Sequence, residues 1–309
     1  MCFTAHSLSL HQNPTIMKDF FWQSYLQLEN DVLDICSYYY VNDEQLDVYS
    51  LRISDLIVRI NIEIESIAKD LYYKNNPNPK KGNPKYDMEC LKFLNDLWEI
   101  TEKEISIVNS FFDLEKENNK LITPLKEVIE KGKPEWKDAY QSLKHNRANS
   151  ITKGTLRNML LSLGSLYILN IYNKDYVQTF ENLKKTFNME TNFGSRIFAT
   201  TLFPYNPVFN KNTNLKKFIL IAYPEINEIE VYKERTLAKF GTFINYALSD
   251  RDFNQYCDSK NLNSTDRMTN LLNYMKEYHE EIIIKYGKDV LESLNYIPYK
   301  VTINRNQLI

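Results

Sequence analysis

Apolar residues recur every three or four positions along most of the first half of the chain. In KDFFWQSYLQLENDVLDICSYYY (residues 18–40), Phe21, Tyr25, Leu28, Val32, Ile35 and Tyr39 share one face of a 3.6-residue period, which predicts an amphipathic helix. The link VNDEQLDVYS follows. In LRISDLIVRINIEIESIAKDLYYK, Leu56, Ile60, Ile64, Ile67 and Leu71 mark a second helix, with Ser50 or Ser54 placed to cap it. Its β-branched residues favour strand, but the segment is longer than any ordinary strand. The run NNPNPKKGNPKY breaks the pattern as a surface loop. Helical spacing resumes in MECLKFLNDLWEITEKEISIVNSFF through Leu91, Leu94, Leu97, Ile105 and Val108. After EKGKPEW, Pro134 sits well as an early residue of a further helix. A polar link, NRANSITKG, then leads into TLRNMLLSLGSLYILNIYNKDYVQTFENL, the most apolar helix of the chain.

Long helices joined by short links predict a mainly α chain, an up-and-down helical bundle over residues 18–185. Beyond about residue 190 the pattern changes. TTLFPYNPVFN is broken by proline, KKFILIAYPEINEIEVYKE reads as two short strands, and RMTNLLNYMKEYHEEIIIKYGKDVLESL is helical with Gly287 as a C-cap. Residues 186–309 are therefore expected to form a C-terminal helical or small α+β extension.

Composition narrows the chemistry. Seven glycines in 309 residues is about a third of the usual ~7% share. Neither GxGxxG nor GxxxxGK[ST] occurs, so dinucleotide folds and P-loop enzymes are disfavoured. A content of 43% hydrophobic and 13% aromatic residues suffices for a large core. The net charge of −2, from 38 basic and 40 acidic residues, excludes a surface coated with positive charge, so nucleic-acid contact requires a local patch. Cys2, Cys36, Cys90 and Cys257 lack CxxC spacing and read as reduced thiols of a cytoplasmic protein. No basic n-region with an apolar h-region marks the N-terminus, and no run of about eighteen apolar residues predicts a membrane span.

One local patch exists. Between residues 131 and 157 seven cationic side chains (Lys131, Lys133, Lys137, Lys144, Arg147, Lys153 and Arg157) face two acidic ones, Glu135 and Asp138, a local charge of +5. On a helix starting near Pro134, Trp136, Tyr140, Lys144 and Arg147 form a ridge, with His145 about 100° around from Lys144. Arginine grips phosphate bidentately, lysine adds a point charge, and histidine moves protons near neutral pH. Beside a ribose hydroxyl such a group can promote cleavage without metal. The same residues also suit a solvated helix face with Trp136 and Tyr140 in the core.

EWKDAYQSLKHNR followed by LRNMLLSLGSLYIL resembles a motif of uncharacterised bacterial proteins: Trp, Tyr, Lys-His-x-Arg, then Asn near the start of an apolar helix. VYSLRISDLIVRINIEIESIAKDL, with Glu63, Glu65 and Lys69, is similar to their Tyr-Ser helix, and GSRIFATTLF resembles their closing segment. The likeness spans about residues 25–203, and these proteins look related to the HEPN superfamily, whose all-α domains often dimerise and include metal-independent ribonucleases of toxin and phage-defence systems. The resemblance implies an RNA-binding or ribonuclease function without cofactor or metal, a homodimer, and Lys144, His145 and Arg147 as catalytic candidates. Tyr140, Lys153, Arg157 and Asn158 follow as substrate-binding residues, and Glu63 or Glu65 as orienting or ion-pairing carboxylates. The superfamily signature, an Arg followed four to six residues later by a His, is missing here. His145 precedes Arg147, and Arg157 is followed by Leu161, Ser162, Leu163 and Gly164 in that window.

The competing expectation is a non-catalytic helical interaction protein, with a partner encoded elsewhere and no membrane, in which Lys-His-x-Arg pairs with Glu63 or Glu65 across the bundle and fixes helix register. Other candidates carry less. His279 lacks an HExxH frame, His6 and His11 lie in an aperiodic N-terminal stretch, and Ser165 in SLGSL lacks the GxSxG elbow.

Overall fold

The computed structural model describes residues 20–306, apart from 39, 127, 130–134, 175–176, 181–188, 206–213, 225–233, several positions between 235 and 247, 264–265 and 268–298. His6, His11, His279, Cys2, the expected C-cap Gly287 and the second expected strand after Pro224 lie outside the described residues.

Two helices form where the apolar period is longest. Helix α1 (Phe20–Cys36) buries Tyr25, Leu28, Val32 and Ile35. After a short strand β1 (Val41–Asn42), helix α2 (Leu51–Asn75) buries Leu56, Ile60, Ile64, Ile67 and Leu71. Ser50 is its N-cap, its side chain accepting from the Ile53 N–H, whereas Ser54 is buried. A π-helical turn (Tyr86–Leu91) runs into α3 (Lys92–Trp98). Here the expected long helix stops, because Glu99 adopts a left-handed conformation with φ 51°. The following apolar residues instead make strand β2 (Ile105–Ile107), then β3 (Phe112–Asp113), a turn of helix α4 (Glu117–Lys120) and β4 (Leu121–Ile122).

Helix α5 (Glu135–Ser150) carries the Lys-His-x-Arg motif and leaves helical geometry at Asn146 (φ −149°, ψ 64°). Asparagine offers its own side chain as a backbone partner, so it tolerates such a break. The expected polar link is thus largely helical. A 3-10 turn (Ile151–Lys153) leads to helix α6 (Leu156–Asn173), capped by Thr155, whose hydroxyl accepts from the Asn158 N–H. Strands β5 (Val177–Phe180), β6 (Met189–Thr191), β7 (Phe198–Pro204) and β8 (Leu220–Pro224) follow, then helix α7 (Arg251–Ser259) and strand β9 (Tyr299–Ile303).

The chain is an α+β fold, which corrects the expected mainly α, HEPN-like up-and-down bundle. A seven-stranded mixed sheet runs β4-β2-β7-β8-β9-β5, with β6 also on β7. β2 pairs with Phe198 and Ala199 of β7, and β6 continues along the same edge opposite Thr200 to Leu202. β7 and β8 are parallel, and the other ladders of this sheet are antiparallel. The physical reason is visible in α6, the most apolar helix of the chain, which is buried around almost its whole circumference. A helix of that kind must be covered on every side. Helices α1, α2 and α5 cover part of it, and the sheet covers the rest. At Gly164 a Cβ would lie 3.0 Å from Ile105 Cδ1 and 3.4 Å from Ile122 Cδ1, so glycine lets the sheet approach. The ring of Tyr167 meets that of Phe198 at 5.6 Å. Helices and sheet thus share one core, and its ladders join residues on both sides of position 186. Among the described residues no helix is long and apolar enough to cross a membrane.

Candidate functional site

Helix α5 lies against α2 and α6 through Trp136, Tyr140 and Leu143, all buried. The Trp136 indole donates to the Pro124 carbonyl at 2.8 Å. From Tyr140 outward the ridge turns polar. The Tyr140 hydroxyl donates to Glu65 Oε1 of α2 at 2.8 Å and accepts from Lys144 Nζ at 3.0 Å. Lys144 and Glu65 themselves stand 3.9 Å apart. Burial first, then the Glu65 carboxylate, push the Tyr140 phenol up, against the opposing lysine. The hydrogen bond to Tyr140 raises Lys144, which therefore stays cationic at neutral pH.

The residues from Lys144 to Asn149 are all exposed, and all but Ala148 are polar, at the end of α5 around the Asn146 kink. Arg147 reaches Asp55 of α2 at 3.6 Å, with both side chains well exposed. The His145 imidazole makes no hydrogen bond or ion pair with another described residue. Exposed pairs of this length contribute roughly 0–1 kcal/mol.

Further down α5 the remaining cations are also matched. Lys137, 5% exposed, pairs with Asp87 at 2.7 Å, and that pairing outweighs burial to hold the Asp87 carboxyl below its usual range. Lys153 bonds Asp138 at 2.6 Å and Ser142 at 2.9 Å. Arg157 donates to Asn119 Oδ1 at 2.9 Å and meets Asp47 at 3.4 Å. Each described cation of the +5 stretch therefore faces a carboxylate, and Asp47, Asp55, Glu65 and Asp87 come from outside that stretch. The sequence reading missed Asp47, Asp55 and Asp87, since nothing in local spacing ties them to partners fifty or more positions away.

The candidate residues fall into two groups. Lys144, His145 and Arg147 share the exposed end of α5 with Tyr140 and Glu65 beneath. Lys153, Arg157 and Asn158 instead line an open cavity of about 590 Å³ at the start of α6, with Asp47, Glu135 and Asp138 opposite them. Glu63 is half-buried on α2 and forms no ion pair with a described residue. Two helix starts meet beside this cavity. The Leu156 N–H donates to the Val48 carbonyl at 3.0 Å, and Tyr49 and Thr155 form a bridge, so the caps Ser50 and Thr155 lie side by side. Among the described residues no group of three His, Cys, Asp or Glu side chains is placed to hold a metal ion. Compared with known proteins, the chain matches no family model, no curated protein and no solved structure.

Proposed function

We propose that this protein binds RNA through the phosphate backbone, using the exposed end of α5. The observation that carries this is the unbroken exposure of Lys144 to Asn149, with Arg147 held only by a long, solvent-screened contact to Asp55, and Lys144 by a hydrogen bond to Tyr140 and a contact of 3.9 Å to Glu65. A phosphate offers two hydrogen bonds to the Arg147 fork and a formal charge to Lys144, and it has only weak pairs to displace. His145 between them adds a further donor when protonated. The proposed activity is binding rather than cleavage, because a proton-transferring histidine needs a partner that fixes its tautomer and aim, and His145 has none among the described residues.

The test is fluorescence anisotropy on labelled single-stranded RNA over a salt series. Lys144→Ala and Arg147→Ala should each weaken binding for every sequence and lower the salt slope by about 1. Wild-type affinity retained in both variants would remove the proposal. End-labelled RNA incubated with wild type and His145→Ala in EDTA should stay intact. Cleavage by wild type alone would replace binding by a metal-independent ribonuclease.

A second reading, in which the motif serves architecture in a protein–protein interaction module, is favoured by one observation. Tyr140 and Lys144 both converge on Glu65, fastening α5 to α2. It predicts no RNA binding at any salt concentration and a lower melting temperature for Lys144→Ala.

A further inference from the structure

Position 49 carries an aromatic ring that the described part of the molecule leaves unused. The backbone around Tyr49 is fixed: the Val48 carbonyl accepts from the Leu156 N–H at 3.0 Å, Tyr49 bridges to Thr155, and Ser50 caps α2. Successive side chains of extended backbone stand on opposite faces, so with Val48 packed on the core the Tyr49 side chain is turned outward, 49% exposed. Among the described residues its hydroxyl has no hydrogen-bond partner and its ring meets no other ring or cation. Other exposed aromatics are engaged. The Tyr40 hydroxyl bonds Asp113, the Tyr73 hydroxyl donates to the Gly82 carbonyl, and Phe20 packs edge-on against Phe21. Tyr38 and Phe111 are as free as Tyr49, but Tyr49 differs from them in its position relative to the cations of the candidate site.

Its bridge partner Thr155 lies midway between Lys153 and Arg157, and the same register sets position 47 opposite 157, where Asp47 and Arg157 meet at 3.4 Å. On its other side the chain enters the first turns of α2, where Arg147 reaches Asp55 at 3.6 Å. Tyr49 thus stands between the cations at the end of α5 and those at the start of α6. Each of those cations also faces a carboxylate, so the attraction of this surface for phosphate is partly cancelled. A strand held here gains from a contribution that salt does not screen. Stacking of a base on an aromatic side chain is such a contribution, because every base has a π-face. Unpaired bases offer that face, and bases within a duplex do not.

We infer that Tyr49 is a stacking platform for a base of single-stranded RNA, whose phosphates run from Lys144 and Arg147 towards Lys153 and Arg157. This rests on the RNA-binding proposal above and adds to it the kind of RNA bound and the residue that selects it. The ring is mounted on backbone already fixed at positions 48 to 50, so little ordering opposes the contact. A π-face accepts any base, so the platform selects an unpaired strand rather than a sequence.

Anisotropy is measured over a salt series with a labelled oligoadenylate and with a strand of the same length and charge from which the bases have been removed. Wild type should bind the oligoadenylate about tenfold more tightly than the abasic strand. Tyr49→Ala should lose that margin while keeping the salt slope and the affinity for the abasic strand. Tyr49→Phe should bind as wild type does, since the hydroxyl holds no partner. Tyr49→Trp, which keeps a π-face at an exposed position, should bind at least as tightly as wild type and tests the platform should the alanine variant be unstable. Arg147→Ala should do the reverse of Tyr49→Ala, weakening both strands by the same factor with a shallower salt slope. Equal affinity of wild type for the two strands, or an equal loss for both in Tyr49→Ala, would overturn the platform and leave backbone binding in place. Binding of neither strand by wild type would overturn the RNA reading itself, and the platform with it.

Discussion

Glu29 of α1 accepts the backbone N–H of Ile197 at 3.1 Å, across 168 positions of sequence. The carboxylate is 1% exposed and also takes the Arg196 N–H at 3.0 Å and the Tyr25 hydroxyl at 2.8 Å, while Ser195 Oγ donates to it at 2.5 Å. A buried charge is thus held by backbone donors at the start of β7, and it ties α1 to the sheet.

Glu29→Ala strands those donors in the interior. Each unfilled group costs about 1–3 kcal/mol, so the variant should lose about 3 kcal/mol or more in urea unfolding. A loss under about 1 kcal/mol would mean that the donors find water and the tie is dispensable.

Gly154 is required by close approach. A Cβ there would lie 1.9 Å from Ser54 Oγ and 3.0 Å from Ser54 Cβ, where the turn before α6 meets α2. Gly154→Ala should cost about 1–3 kcal/mol, and pairing it with Ser54→Gly should restore most of that. Additive losses in the double variant would show that the contact with Ser54 is not the cause.

Lys103 precedes β2, is fully buried, and donates from Nζ to the Lys216 carbonyl at 2.6 Å. Burial pulls its ammonium down to about 8, against the partial support of Glu99 and Glu102. Between about pH 8 and its ordinary value of 10.5 the unfolded chain holds a proton that the folded chain has released, so this group's contribution to stability rises with pH across that window. Lys103→Met should therefore be more stable than wild type at pH 7, with the gap narrowing from pH 8 towards pH 10. The difference between the two chains is the quantity to follow. Cys36, pushed by burial to about 12, Cys90, pushed to about 11, and the buried tyrosines contribute the opposite slope to both. A gap independent of pH would show that Lys103 titrates normally.

Tyr140→Phe separates architecture from binding. It removes the hydroxyl that joins Glu65 to Lys144 and keeps the packing of the ring. Stability should fall by about 1–2 kcal/mol, while RNA affinity changes less than in Arg147→Ala. Equal loss of affinity in both would place Tyr140 in the binding surface itself.

The helices read from the sequence are those whose burial is decided within their own length. α1, α2 and α6 repeat apolar residues over many turns, and the serine at position 50 and threonine at position 155 cap the starts of α2 and α6 through local hydrogen bonds. β2 shows the limit. Ile105, Ser106 and Ile107 fit a helical continuation of α3 as well as a strand, because so short an apolar stretch has no resolvable period. Its strand character comes from Ile122 and Leu121 on one side and from Ala199 and Phe198 on the other. Likewise TTLFPYNPVFN read as broken by proline, yet its first five residues complete strand β7, and Pro204 falls at the strand end.

The candidate site divides in the same way. The sequence by itself determined that α5 carries Tyr140, Lys144, His145 and Arg147 together at its end, since helical spacing is a local property, and it offered Glu63 or Glu65 as a partner, between which the tertiary structure chose Glu65. Only the tertiary structure decided that Asp47, Asp55 and Asp87 neutralise much of the basic stretch, that Asn158 borders a cavity at the start of α6, and that a sheet completes the core around α6. Those facts depend on which distant segments share space, and a helix as rich in apolar residues as α6 states only that it must be covered, not by what.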